Sequence, residues 1–319
     1  MKILITGVAG FIGFSFANYL LKKKIKIYGI DNYDNYYSIK FKHLRIKKLK
    51  TYKNFVFNKI DITKKKNLSK YFKNKNFDYI FHFAAQAGVR YSLVNPKKYI
   101  RVNKEGFENI FSNLIKLKKL KTFFYASSSS VYGSKKKFPT SESSTLSPQS
   151  IYAKTKVFNE KFAKKMANKV NFKILGLRFF TVYGEWGRPD MFIFKILKSH
   201  KNDKTFYLNN FGNHERDFTY INDILNVLFK LIKIKKFNHK VINICSSKPI
   251  NIKKLSDYLK KKLNMKKIQS VEKNSYDVNT THGDNFLLKK YVKVKKFTNF
   301  KKGLNNTVNW YLKNKIYKL

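Results

Sequence analysis

Lys2-Ile-Leu-Ile-Thr-Gly7-Val-Ala-Gly10-Phe-Ile-Gly13, continuing into Phe14-Ser-Phe-Ala-Asn-Tyr-Leu-Leu21, is the stretch that decides the fold. Residues 2–6 form a short apolar run rich in β-branched side chains, and residues 11–21 carry apolar side chains at helical spacing, so the glycines occupy a strand-to-helix turn. Each glycine has its own physical reason. Gly7 permits the tight turn, Gly10 admits close approach of a bound pyrophosphate, and Gly13 lets the helix pack on the strand. The helix start then presents unpaired backbone N–H groups and a partial positive charge. A glycine triplet alone is weak, but here a second strand over 25–30 ends at Asp31. A carboxylate there can hydrogen-bond an adenosine ribose diol and would repel a 2′-phosphate, so NAD is expected rather than NADP.

Working outward, further short strands are expected over 55–57, 78–83, 121–126 and 172–178, separated by helical or polar stretches. The alternation predicts an α/β fold: a Rossmann-type doubly wound parallel sheet, followed by a smaller C-terminal α/β substrate domain. The expected division is 1–182 for the dinucleotide-binding domain and 183–319 for the substrate-binding domain, with 217–247 returning to the first. After about Tyr183 the pattern turns irregular. Helix is expected over 191–200, a polar segment over 201–216, helix again over 219–234 and strand over 241–244.

A chain of 319 residues with 43% hydrophobic content can bury a substantial core. It has no run of about 18 apolar residues, and the glycine motif arrives before a secretory apolar region could form, so a soluble cytoplasmic chain is expected. The one cysteine, Cys245, can make neither an internal disulfide nor a multi-cysteine metal site, and no metal is expected. In the run Val241-Ile-Asn-Ile-Cys245 it reads as a small core residue. The formal charge of +51 would by itself point to nucleic acid or an anionic membrane. Of 69 basic residues, however, only six are Arg, and the lysines are scattered through the whole chain. Base-reading sites favour planar, bidentate Arg, so the lysines read as solvated surface, with neither a specific nucleic acid nor a membrane as partner.

Tyr152-Ala-Lys-Thr-Lys156 opens a helical stretch, and the four-residue step puts both side chains on one face a turn apart. An unperturbed phenol titrates near 10, roughly three units too high for a base at neutral pH, and a neighbouring ammonium can supply part of that shift. Tyr and Lys are so abundant here that the pair alone is unremarkable. Its weight comes from Tyr125-Ala-Ser-Ser128-Ser129-Ser130-Val-Tyr-Gly133 upstream, a strand end opening into hydroxyls, one of which can hydrogen-bond both a substrate hydroxyl and Tyr152.

Gly7 to Gly13, Asp31-Asn32, Asp61-Ile62, His82-Phe83-Ala84-Ala85-Gln86-Ala87-Gly88-Val89-Arg90, the serine run and Tyr152/Lys156 together resemble the nucleotide-sugar epimerases of the extended short-chain dehydrogenase/reductase type. More narrowly, Ala85 to Ser92, Leu177 to Gly184, Trp186 to Met191 and Arg216 to Ile221 are similar to UDP-glucuronate 4-epimerases. The likeness runs from residue 1 to about 225 and then thins. It implies NAD as cofactor and a UDP-sugar as substrate, with Tyr152 as catalytic base, Lys156 lowering its pKa and holding the nicotinamide ribose, and Ser128 assisting proton transfer. The turn, with Phe11 and Ile12, would hold the cofactor together with Asp31 and Asn32. Asp61 and Ile62 would contact adenine, Phe83, Ala84, Ala85, Gln86 and Asn103 the phosphates and ribose, and Phe179 the nicotinamide region. On the substrate side stand Arg90, Ser129, Arg216 for the diphosphate, Asp277 in the uridine-ribose segment, and Thr181 with Arg188 for a sugar carboxylate. An Arg fork suits that group because it donates two parallel hydrogen bonds.

The implied reaction is oxidation at C4, turning of the 4-keto sugar, and reduction on its other face. Related dehydratases place an Asp-Glu pair, and decarboxylases a Glu, where this chain has Ser129 and Ser130, so simple epimerisation is expected. The chain departs from the pattern over residues 273–284, where relatives carry a Gln-Pro-Gly-Asp-Val segment. UDP-glucose or UDP-N-acetylhexosamine epimerisation is the alternative within the class, and a catalytically silent NAD-binding scaffold or sensor the alternative outside it. The resemblance also implies a homodimer through helices over 96–117 and 151–167. On heparin or DNA, the chain is expected to elute below about 0.3 M salt without sequence preference. Sequence-selective retention above that would overturn the solvated-surface reading.

Overall fold

The structure is a computed structural model that describes residues 1–234, 237–272, 278–294 and 296–315. Strand β1 (Lys2–Thr6) is buried from Ile3 onward. Its neighbours and helices cover both faces, which is why the run is continuously apolar rather than alternating. In chain order follow β2 (Lys26–Asp31), β3 (Phe55–Lys59), β4 (Tyr79–His82), β5 (Thr122–Ser128), β6 (Lys173–Phe179), β7 (Thr181–Tyr183), β8 (Phe206–Asn209), β9 (Glu215–Tyr220), β10 (His239–Ile244), β11 (Pro249–Asn251), β12 (Ile268–Val271) and β13 (Thr280–Thr281). Seven of them make a parallel sheet in the order β10-β6-β5-β4-β1-β2-β3. The chain builds outward from β1 in one direction, then returns to β4 and builds the other way. The connections leaving β1 and β4 therefore diverge, and a crevice opens at the carboxyl ends of the strands.

Two apolar clusters cover the sheet. Ile3 and Ile5 pack with Phe14, Phe16, Ile46 and Leu228 on one side, while Leu4, pointing the other way, packs with Leu68, Phe107, Phe111 and Ala163. Each such buried side chain contributes about 1.5–3 kcal/mol relative to exposure. The turn after β1 is held by close contact. Gly7 has φ +69°, and a Cβ there would lie 2.6 Å from the Ala84 nitrogen. A Cβ on Gly13 would lie 2.3 Å from the Gly7 carbonyl oxygen.

A smaller sheet joins β9 to β7, β11 and β13, and β8 pairs separately with β12. Four expectations are corrected here. The helix expected over 219–234 runs only over Ile221–Leu231, because Thr219 and Tyr220 close β9 in parallel register with Val182 and Tyr183. Long-range pairing overrides the local apolar spacing. For the same reason 217–220 stays with the smaller sheet, while helix Ile221–Leu231 and β10 return to the larger one; Tyr19 in helix Phe11–Lys22 donates to Asn226 at 3.0 Å. The polar segment 201–216 also contains β8. The helix expected over 96–117 is interrupted: Pro96–Tyr99 and Gly106–Leu114 are α-helical, and Ile100–Glu105 between them is a π-turn.

Arg45 is fully buried, yet its bonds go to neutral acceptors. It donates to the carbonyls of Ala9, Trp186 and Gly187 and to the Tyr37 hydroxyl, with its guanidinium 4.3 Å from the Phe41 ring. Trp186 stacks on Phe41 at 5.6 Å and 11°. The loop after β7 is thereby pinned beneath the glycine turn. Among the described residues no helix is long and apolar enough to cross a membrane. Gly13→Ala is expected to cost about 1–3 kcal/mol in urea unfolding through overpacking, and to weaken NAD binding. An unchanged midpoint would show that the turn yields more easily than its contacts imply.

Candidate active site

The crevice beyond β1 and β4 is lined by Gly7, Gly10, Phe11, Ile12 and Gly13 from the turn and by Asp31 and Asn32 after β2. Ile62, Phe83, Ala84, Ala85, Gln86, Tyr152, Lys156 and Phe179 line it as well. Helix Phe11–Lys22 begins at Gly10 with no side-chain cap. Its first N–H groups have no acceptor within the helix, a ready seat for a dinucleotide pyrophosphate. Asp31 accepts from the Ala9 nitrogen at 3.0 Å and the Tyr33 nitrogen at 2.8 Å. Burial raises its carboxyl above the ordinary value, against the pull of these N–H groups and of Lys42 and Arg45.

Two expected cofactor contacts, Asp61 and Asn103, do not line this wall. Asp61 accepts from the Thr63 nitrogen and hydroxyl, both at 2.8 Å, and from Asn32 at 3.1 Å, so it braces Asn32 from behind. Asn103 stands on the π-turn, where its amide grips the Gln86 nitrogen (2.7 Å) and carbonyl (3.0 Å) and donates to Thr155 (3.1 Å). Asp61 thereby holds the Asn32 and Thr63 side chains, and Asn103 the Gln86 main chain.

Ser150 caps helix Ile151–Met166 by accepting from the Ala153 nitrogen at 3.1 Å, which starts the helix just where Tyr152 must face the crevice. One turn on, Lys156 is buried, with Nζ donating to the Ala126 carbonyl at 2.8 Å and lying 5.9 Å from the Tyr152 ring centroid. Burial lowers the Lys156 ammonium to about 8, with the Glu160 charge acting the other way. Burial raises the Tyr152 phenol, while a hydrogen bond with Ser128 and the Arg188 charge pull it down. Arg188 is thus one cation bearing on the phenol, while the nearby Lys156 directs a hydrogen bond to the β5 carbonyl. The Ser128 hydroxyl accepts from the Ser130 nitrogen (3.2 Å) and hydroxyl (3.0 Å).

Beneath the serines lies a buried pair that sequence reading missed. Arg178 donates to Glu160 from Nε (2.9 Å) and Nη2 (2.7 Å), and Ser127 donates to the same carboxylate. Its remaining arm donates to the Tyr132 hydroxyl at 2.8 Å. Nothing local marks the pairing, because Arg178 comes from β6 and Glu160 from the helix across it. Losing one partner would strand a buried charge, which typically costs 3–5 kcal/mol.

A second cleft adjoins the first, lined among others by Arg90, Ser128, Ser129, Thr181, Arg188 and Arg216. Tyr36, Ser128, Tyr152, Phe179 and Arg188 line both. Asn209 on β8 offers its side-chain oxygen to both terminal nitrogens of Arg90, at 3.0 and 3.2 Å. Arg216 donates to the carbonyls of Glu215 and Asn279, each at 2.9 Å. Asp277 lies outside the described residues. Among those described there is no cluster of three or more His, Cys, Asp or Glu side chains able to hold a metal. Tyr36, which sequence reading passed over, donates to Asp190 at 3.0 Å.

The sequence profile of the NAD dependent epimerase/dehydratase family matches residues 3–245. The chain belongs to that family. It is 38% identical to Protein CapI of Staphylococcus aureus, the match covering 98% of each chain. It is 34% identical to the UDP-glucuronate 4-epimerase of Thermodesulfobacterium geofontis, covering 96% of this chain and 95% of that one. The crystal structure of the Bacillus cereus UDP-glucuronic acid 4-epimerase in complex with UDP-glucuronic acid and NAD superimposes with a TM-score of 0.91 at 28% identity, covering 98% of this chain and all of the other. Family membership makes NAD the cofactor, and the uncapped helix start and the Asp31 strand end are built for such a dinucleotide.

A buried lysine whose folded pKa is depressed opposes folding while it is charged. Stability is lost below pH 8 and regained as the pH rises from about 8 toward the unfolded value near 10.4. Relative to Lys156→Met, the wild type is expected to gain on the order of 3 kcal/mol of unfolding free energy across that window. Parallel pH profiles in urea titrations would refute the depressed value.

Proposed function

We propose that the protein is a UDP-glucuronate 4-epimerase, interconverting UDP-glucuronate and UDP-galacturonate. The observation that carries this reading is Arg188, whose guanidinium lines both cavities and whose charge acts on the Tyr152 phenol. A cation at that junction can meet a sugar carboxylate beside the group that moves the C4 proton. Bound NAD would supply reversible hydride acceptance at C4. The chain does the rest. Tyr152 takes the C4 hydroxyl proton, Ser128 hydrogen-bonds the phenol as it does so, and the buried wall around Lys156 excludes water from the exchange. Thr181, at the start of β7, and the arginines Arg90 and Arg216 offer donors for the remainder of the nucleotide sugar.

Elimination is disfavoured by the same inventory. Among the residues lining the two cavities, the carboxylates are Asp31, Asp34 and Asp190. Burial alone would raise the Asp190 carboxyl, but the Arg188 charge and hydrogen bonds from Arg188 and Tyr36 hold it low, which makes it a poor general acid. The serine run offers hydroxyls in place of an acid. The runner-up is epimerisation of UDP-glucose or a UDP-N-acetylhexosamine, for which Arg188 would have no carboxylate to meet. The proposal extends to a cytoplasmic homodimer, paired through the helices within 96–117 and over 151–167, that supplies galacturonate units for surface polysaccharide. The return of β10 to the larger sheet supports a discontinuous division into a dinucleotide domain and a substrate domain.

Incubation with UDP-glucuronate is expected to give UDP-galacturonate by product chromatography, and Tyr152→Phe to lower turnover by about 10²–10⁴-fold. Turnover of neutral sugars alone would sink the glucuronate assignment, and an undiminished variant would sink the proton-transfer role.

A further inference from the structure

The guanidinium assigned to the sugar carboxylate is already in the hands of a carboxylate. Arg188 donates to Asp190 from Nε at 3.0 Å and from Nη2 at 2.5 Å, a side-on fork. Asp190 in turn accepts from the Tyr36 hydroxyl, and the Arg188 guanidinium lies 5.6 Å from the Tyr36 ring centroid. Tyr36 belongs to the loop that leaves Asp31, where Asp34 turns the chain by accepting from the Tyr36 nitrogen at 2.9 Å. The neighbouring Tyr37 is bonded to Arg45, which holds the Trp186 and Gly187 carbonyls. Two clasps therefore lock the loop carrying Arg188 to the loop that follows the ribose-facing aspartate.

A guanidinium has five N–H donors in a rigid plane and two edges able to meet a carboxylate bidentately. Asp190 occupies the edge made by Nε and Nη2. The Tyr36 hydroxyl also bonds to the guanidinium, and among the described residues no hydrogen bond engages Nη1, so the edge that carries Nη1 is where a ligand can bind. We propose that Asp190, held by Tyr36, is the positioning residue that sets the specificity of this site for hexuronate sugars: it fixes Arg188 by one edge so that the other grips the sugar carboxylate. The inference rests on the glucuronate reading above. It explains why an acidic residue stands in a site for an acidic sugar. Without Asp190, a long side chain with several rotatable bonds would have to be ordered by the substrate itself, and that ordering would weaken binding.

The test compares Asp190→Asn and Tyr36→Phe with the parent, all on a Tyr152→Phe background loaded with NAD so that no ligand turns over. Calorimetry gives the dissociation constants of UDP-glucuronate and UDP-glucose, and thermal unfolding reports on the fold. Asp190→Asn is expected to weaken UDP-glucuronate by about tenfold, Tyr36→Phe by less, with UDP-glucose changed by under about twofold in both. Equal losses for the two ligands would overturn the proposal by showing a general structural role. Tighter UDP-glucuronate binding in Asp190→Asn would overturn it as well, because Asp190 would then be a competitor that the substrate displaces. If the parent itself binds UDP-glucose better than UDP-glucuronate, it is the glucuronate reading that fails, and that result is visible before any Asp190 variant is compared.

Discussion

Everything in the site hangs on how closely the turn after β1 lies against the end of β4. Gly7 and Gly13 have no room for a Cβ, because the Ala84 backbone and the Gly7 carbonyl fill the space. That contact brings the uncapped start of helix Phe11–Lys22, the residues Phe83 to Gln86 and the end of β2 to one crevice edge. A single methyl group at either position would push the helix from the sheet and move its uncapped start away from Asp31. The fold's topology makes the crevice, and two glycines set its width.

The second requirement is that strong charges be kept under the reaction centre without relaxing into water. Glu160 and Arg178 satisfy one another and two hydroxyls, Ser127 and Tyr132, within a buried layer. Glu160 also favours the protonated form of Lys156, which burial opposes. The ammonium can thus stay in the wall as a donor to the Ala126 carbonyl. Preorganised dipoles and charges of this kind lower a barrier because nothing has to reorient when the proton moves. The buried pair is poor value as a source of stability, since two such ions lose their hydration. Its position directly behind Ser127, Ser128 and Lys156 accounts for its presence better than any stabilising role.

How far this was legible in the sequence depended on whether the deciding contact was local. The glycine turn, Asp31, the capped helix with Tyr152 and Lys156, and the parallel strands all follow from short-range spacing, and the structure forms them at or within about two residues of the expected limits. The strand character of Thr219 and Tyr220 was hidden, because it comes from pairing with β7 some forty residues earlier. Asp61 and Asn103 raise a related question. Motif likeness marks a residue as required without saying whether it faces the ligand or holds the main chain that does. The Arg45 seam was invisible for want of any local pattern, since its acceptors are three backbone carbonyls and a hydroxyl from distant segments.

The lysine excess shows the converse, a loud sequence feature with little consequence at the site. Among the described lysines lining the two cavities, Lys42 and Lys156 are buried, Lys42 acting on Asp31 and Lys156 standing beside Tyr152. The scarce arginines are instead concentrated there: Arg45 beneath the glycine turn, Arg178 under the serines, Arg188 at the junction, and Arg90 and Arg216 along the cleft. A lysine offers one mobile, strongly hydrated point of charge, whereas each of these places calls for several donors fixed in a plane. A chain that carries six arginines and places at least five of them in and around the site has kept that side chain where lysine cannot serve. Seen this way, the net charge describes the solvent-facing shell, and the choice of arginine over lysine marks the part of the molecule that must recognise something.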